Sequence, residues 1–198
     1  MAHIIQNLKP PRYDTQSKDR HMETHMKNTG NWVENLQHLY DEAVTRYQNG
    51  LRGRDHVIPQ TSLEFLESIG ASPQEIYDFV EDWVEDCEPS FSTIADITAI
   101  RRDFFLHVQK GYASTHVTDT STLPSGHEEL GGHRWLPRII AKARAKLRGE
   151  MSPDIMYGCG ADRPFLHKIG IEPAEFLRIV WKADGDEQAV LDTIKKHV

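Results

Sequence analysis

The sequence predicts an all-α fold, two tandem helical repeats packed as a pseudo-two-fold pair. Three observations predict it. The first is a stretch that occurs twice at a constant offset of 100 residues: Phe65-Leu66-x-x-Ile69-Gly70-x-x-Pro73-x-Glu75 returns as Phe165-Leu166-x-x-Ile169-Gly170-x-x-Pro173-x-Glu175. The second is the punctuation within each copy. A glycine stands where a helix end needs a left-handed residue, and a proline stands at the first position of the next helix, where its missing N–H costs nothing. The third is apolar spacing of helical period outside the repeat: Val33, Leu36, Tyr40, Ala43 and Tyr47, and later Phe91, Ile94, Ile97, Ile100, Phe104 and Phe105.

Taken in order, residues 1–30 form a polar N-terminal arm with Pro10-Pro11 and no sustained apolar period. His21 and His25 stand four apart there, with no third ligand in view. Residues 31–111 are the first, diverged repeat. Asn31-Trp32-Val33-Glu34 has the form of a capping box opening a helix that Gly50 and Gly53 end. Residues 51–61 read as a loop. In the corner that follows, Ser62 caps one helix and Ser72 the next, with Glu75 placed to close a capping box. Asp162 takes the position of Ser62 in the second copy. Pro89 restarts a helix after an acidic run (Glu81, Asp82, Glu85, Asp86 and Glu88) that reads as a solvated face or a docking surface for a basic partner. Residues 112–126 are a Ser/Thr-rich linker. Residues 127–198 are the second repeat, with a long helix from Leu136 to Arg148 stopped by Gly149, and a last helix from about Glu187. One copy alone is small for a stable core, so each is expected to bury a face against the other.

Composition excludes some functions. A mean hydropathy of −0.57 and the lack of any apolar run near the roughly 20 residues of a membrane span predict no membrane role. The N-terminus has no signal-peptide core, and two cysteines make no disulfide framework; both point to the cytoplasm. The net charge is −7, with 8 Lys and Arg against 17 Asp and Glu in residues 1–99, and 15 against 13 afterwards. That balance argues against nucleic acid as a partner.

The two copies share their scaffold and differ in polar residues. The second has Arg134, Arg138, Lys142, Arg144, Lys146 and Arg148 on or beside one helix without an acid among them. Arg138, Lys142 and Lys146 share one stripe. Such a stripe is a solvated face, an anion site for carboxylate or phosphate, or a partner for the acidic copy. Cys159 lies between two glycines, which let a ligand approach the backbone. Neighbouring arginines are expected to favour its thiolate, with His127, His133 or His167 as a base. His127 and His133, flanking two glutamates and two glycines, also invite a metal reading, though the spacing is a weak signature.

Leu130-Gly131-Gly132, Leu136-Pro137-Arg138, Lys142-Ala143-Arg144-Ala145, Gly149, Tyr157-x-Cys159-x-x-Asp162, Phe165-Leu166 and Ile169-Gly170-Ile171 occur in that order. Over about residues 127–198 the chain resembles the bacterial domain-of-unknown-function family 5069. The resemblance implies a small, mainly helical cytoplasmic domain and no established activity. It places Arg138, Lys142, Arg144, Tyr157, Cys159 and Asp162 on positions of the family pattern. The chain departs from that pattern at Ala141, where an acid is expected, and at Gly160-Ala161, where Pro-Leu is expected.

The expected function is therefore an anion site for a carboxylated or phosphorylated small molecule. Arg138, Lys142, Arg144 and Asp162 would bind the ligand, and Cys159 and Tyr157 would stand nearest any chemistry; the residues do not decide whether a reaction occurs. No cofactor is expected. Two other classes stay open: a non-catalytic module, homo-oligomeric or docking a protein partner through its acidic and basic halves, and a metal site using His127, His133 and Cys159.

Overall fold

Helices dominate the computed structural model, which describes residues 31–197. The expected arm, with His21 and His25, lies outside the described residues. Helix α1 (Trp32–Gln48) buries Leu36, Leu39, Tyr40, Ala43 and Tyr47 along one stripe. It ends with the Leu51 amide donating to the Arg46 carbonyl and the Gly50 amide to that of Tyr47. The expected loop 51–61 is more ordered than its sequence indicates. It holds a four-residue helix α2 (Arg54–Val57) and a 3₁₀ turn over Gln60–Ser62. Buried Val57 and Ile58 anchor it to the core.

The first corner joins α3 (Leu63–Ser68) to α4 (Pro73–Asp86). Ser72 caps α4, its hydroxyl accepting from the Glu75 amide at 3.2 Å. The expected capping box is only half made, because the Glu75 carboxylate turns away to pair with Lys146. Ser62 makes no side-chain cap. It ends the 3₁₀ turn, whose Gln60 carbonyl already takes the Leu63 amide.

Helix α5 (Phe91–His107) is capped by Ser90 and buries Ile94, Ile97, Thr98, Ile100, Arg101 and Phe105. These lie on more than one face, as suits a helix inside the core. The chain then crosses residues 112–126, which contain a 3₁₀ turn at Thr120–Thr122. It is tied down where the Thr118 amide and the Ser114 hydroxyl both donate to Glu150. The all-α expectation needs one correction: Glu129–Leu130 (β1) and His133–Arg134 (β2) form a two-stranded antiparallel hairpin. Gly131 and Gly132 both have positive φ, the requirement of the tightest hairpin turn. Helix α6 runs over Leu136–Arg148 as expected, followed by α7 (Asp162–Lys168), α8 (Pro173–Ala183) and α9 (Glu187–Ile194).

Residues 33–197 pack as one unit. Its centre is a cluster in which α5 and α6 each pack on α8 and on one another, with α9 covering α8. Among the described residues no helix is long and apolar enough to cross a membrane. The second corner repeats the bonds of the first: Gly70 to Glu67 and Ala71 to Leu66, then Gly170 to His167 and Ile171 to Leu166.

The two corner glycines differ in their surroundings. Both are left-handed, with φ 69° and 65°. A Cβ on Gly70 would stand 2.6 Å from Phe105 Cγ, whereas one on Gly170 would meet nothing within 4 Å. Gly170→Ala should therefore cost only the backbone strain, about 1–2 kcal/mol. Gly70→Ala should add an overpacking cost of about 1–3 kcal/mol. Urea unfolding of the two variants checks the difference, and equal losses would contradict it.

Candidate functional site

Helix α6 organises the polar interior. Its basic stripe is not a solvated face. Lys142 and Lys146 are only 3% and 2% exposed, because the stripe packs against acidic residues from elsewhere in the chain. Lys146 Nζ pairs with Glu75 Oε1 on α4. Lys142 Nζ lies 2.5 Å from Asp162 Oδ2. Burial pushes the Lys146 ammonium below its usual range, and the Glu75 charge opposes that shift.

Asp162 is the hub of this region. It is the first residue of α7, and its side chain does not cap the helix. Its carboxylate turns inward, fully buried. Oδ2 accepts from Lys142 Nζ and from the Gly158 amide at 2.9 Å, and Oδ1 accepts from Trp135 Nε1 at 2.9 Å. The charge is thus compensated, and each oxygen is used, as a carboxylate inside a protein requires. Cys159 sits on the loop before α7, its sulfur 3.3 Å from Lys142 Nζ. The cation beside this thiol is a lysine, not the arginine expected.

Arg138, Lys142 and Cys159 come together on one cleft of about 390 Å³. Trp135 and residues 153–156 complete that side, and Asp78, Glu81 and Asp82 of α4 form the other. Arg138 donates to the Pro124 carbonyl at 2.8 Å, lies near the Trp135 ring, and forms no ion pair among the described residues. Asp82 is committed to Arg163 at 2.7 Å. Glu81 accepts from the Tyr47 and Tyr77 hydroxyls. Asp78 accepts from Gln74 Nε2 and forms no ion pair among the described residues, although its charge also reaches Lys146. Burial, reinforced by the neighbouring Glu75, Glu81 and Asp82, pushes its carboxyl up to about 6, against the pull of the Gln74 bond.

Two expected site residues lie elsewhere. Tyr157 is fully buried, its hydroxyl donating to the Pro173 carbonyl at 2.7 Å. Burial, then the Asp162 charge, raises that phenol well above its usual range. It tethers the loop to α8 and does not reach the cleft. Arg144 bonds Glu187 and the Gly185 carbonyl, tying α6 to the start of α9. Asp162 supports the cleft from beneath through Lys142 and Trp135.

No histidine lines the cleft, so none of His127, His133 and His167 stands there as a base for Cys159. Among the described residues no group of three or more His, Cys, Asp or Glu is placed to hold a metal ion. The acidic run is partly internal as well, since Arg163 gathers Asp82, Asp86 and Glu88.

Sequence reasoning missed Asp78, Trp135 and Arg163 as members of this region. One signal was present: Glu75, Asp78 and Asp82 stand at helical spacing on α4, complementary to the stripe on α6.

Residues 120–198, within the second half of the chain, match a family described as Domain of unknown function (DUF5069). No curated protein and no solved structure matches the chain. The family match covers the Arg138, Lys142 and Cys159 side of the cleft. The acidic wall on α4 lies outside it.

Proposed function

We propose that the protein binds a small molecule bearing both an anionic group and an amine in the cleft between α4 and α6. Arg138 takes the carboxylate or phosphate, and Asp78 takes the ammonium. One observation carries this reading: Arg138, a stripe cation without an ion pair among the described residues, shares the cleft with Asp78, an α4 carboxylate without one that is held partly protonated near neutral pH. A carboxylate kept in a crevice with its titration moved toward neutrality costs stability, and such groups concentrate at functional sites. The anion site expected from the sequence is thereby narrowed to Arg138, because Lys142, Arg144 and Lys146 are spent on internal carboxylates.

The architecture that supports the cleft is read as two diverged tandem copies in pseudo-two-fold packing, with the basic side of the cleft on the second copy and its acidic wall on the first. The matching hydrogen bonds at Gly70 and Gly170 support that reading. Two free cysteines fit a reducing cytoplasm.

A thermal-shift panel of amino acids, amines, carboxylates and phosphate esters tests the proposal. An amine-bearing anion at about 100 times its dissociation constant should add about 2.7 kcal/mol of apparent stability. Arg138→Ala should abolish the shift. The Asp78 carboxyl ionises near 6, so affinity should rise from about pH 5 to about pH 7 as the carboxylate forms. Asp78→Asn should flatten that rise. Equal binding of simple anions, unaffected by Asp78→Asn, would overturn the amine contact. No shift across the panel would overturn the site.

A further inference from the structure

We propose that Lys142 and Cys159 form a covalent Nζ–Sγ bridge when the protein meets hydrogen peroxide, making this pair a reversible redox modification site. The inference is independent of the ligand proposed above. It rests on placement. The Cys159 sulfur lines a cleft open to a small oxidant, and the Lys142 nitrogen already lies 3.3 Å from it. That nitrogen is buried and also held by Asp162 at 2.5 Å, so it has little freedom to leave the sulfur. Cys87, the other free thiol, is exposed and lines a different cleft beside Glu88 and His167.

The step balances as follows. The Cys159 sulfur attacks one peroxide oxygen; the S–O bond forms, the O–O bond breaks, and one water leaves. The sulfur is oxidised by two electrons to a sulfenic acid, and the peroxide is reduced. Lys142 then passes its extra proton to Asp162 Oδ2, and the neutral amine attacks the sulfur. The N–S bond forms as the S–O bond breaks, and the hydroxyl leaves as a second water with a proton from the nitrogen. This is the condensation that sulfenic acids undergo with nearby nitrogen. A thiol reductant reverses it by attacking the sulfur and releasing the amine. The bridge would pin the 158–160 loop to α6 and withdraw both thiol and ammonium from the cleft floor.

The full chain, treated with graded hydrogen peroxide, alkylated without reduction and digested with trypsin, gives the test by mass spectrometry. Trypsin cannot cut after a bridged Lys142 and does not cut between Arg163 and Pro164. The expected product therefore joins residues 139–144 to residues 149–168. Its mass should be about 2 Da below the sum of the two peptides. Dithiothreitol should remove this product, and Cys159→Ser should never yield it. Lys142→Arg is a second control, but the wild-type digest decides without it, because Cys87 in the same sample reports the ordinary fate of an exposed thiol. Cys159 carrying only added oxygens while trypsin still cuts after Lys142 would overturn the proposal. So would an unmodified Cys159 at doses that oxidise Cys87.

Discussion

Asp162→Ala is expected to cost about 3–5 kcal/mol, a large share of the roughly 5–15 kcal/mol that holds a domain folded. The carboxylate is fully buried and answers three donors: Lys142 Nζ, Trp135 Nε1 and the Gly158 amide. Removing it leaves a buried ammonium without its counter-charge and two N–H groups without acceptors, and unpaired buried groups lose their full hydration. The cost lies in breaking the pair rather than in lacking it, so Lys142→Met in the Asp162→Ala background should recover much of the loss. Recovery should stop short of wild type, since Trp135 and Gly158 still lack an acceptor. Urea unfolding of the two single variants and the double variant at pH 7 measures the coupling. A loss below about 1 kcal/mol for Asp162→Ala would mean that the pair is wet and contributes little.

Asp162 also shows where the sequence stops being legible. A short acidic residue after Gly160 at a helix start has the composition of a cap, and residue type cannot say which way its side chain points. The direction is set by Lys142 and Trp135, which lie 20 and 27 residues away in the chain. The same limit governed the basic stripe. Spacing showed that Arg138, Lys142 and Lys146 share one face, but not that the face is buried. Lys146 meets Glu75 across 71 residues, a pairing no local pattern encodes. Local punctuation was read correctly in part: Gly149 stops α6 and Ser72-Pro73 opens α4, whereas Ser62 and Asp162, expected as caps, cap no helix. The hairpin at Gly131-Gly132 and the four residues of α2 were too short to show a period. Tyr157 was placed near the chemistry by its position with Cys159 in the family pattern, yet its hydroxyl needed a buried acceptor and found the Pro173 carbonyl.

Glu75→Gln is expected to cost about 3 kcal/mol near neutral pH and to do progressively less harm as the solution becomes alkaline. Glu75 faces Lys146, which is 2% exposed and lies near Arg101, also 2% exposed. Two buried cations then share one region with their nearest carboxylate neutralised. The Phe79 ring, 5.4 Å from Lys146 Nζ, offsets only part of this. The helix cap is unaffected, because Ser72 bonds the Glu75 backbone amide and not its side chain. The pH dependence follows from the direction of the Lys146 shift. Burial holds its folded value below that of the unfolded chain, so between the two values the unfolded state binds more protons and stability rises with pH. Loss of the Glu75 charge lowers the folded value further and extends that window toward neutrality. The gap between wild type and Glu75→Gln should therefore narrow from about pH 7 to about pH 10, as Lys146 sheds its proton in the folded variant. Lys146→Met in the same background should close most of the gap at pH 7, since the stranded charge is gone. Thermal melts across that range decide it. A gap that stays constant would assign the loss to packing around Glu75 rather than to the charge it holds.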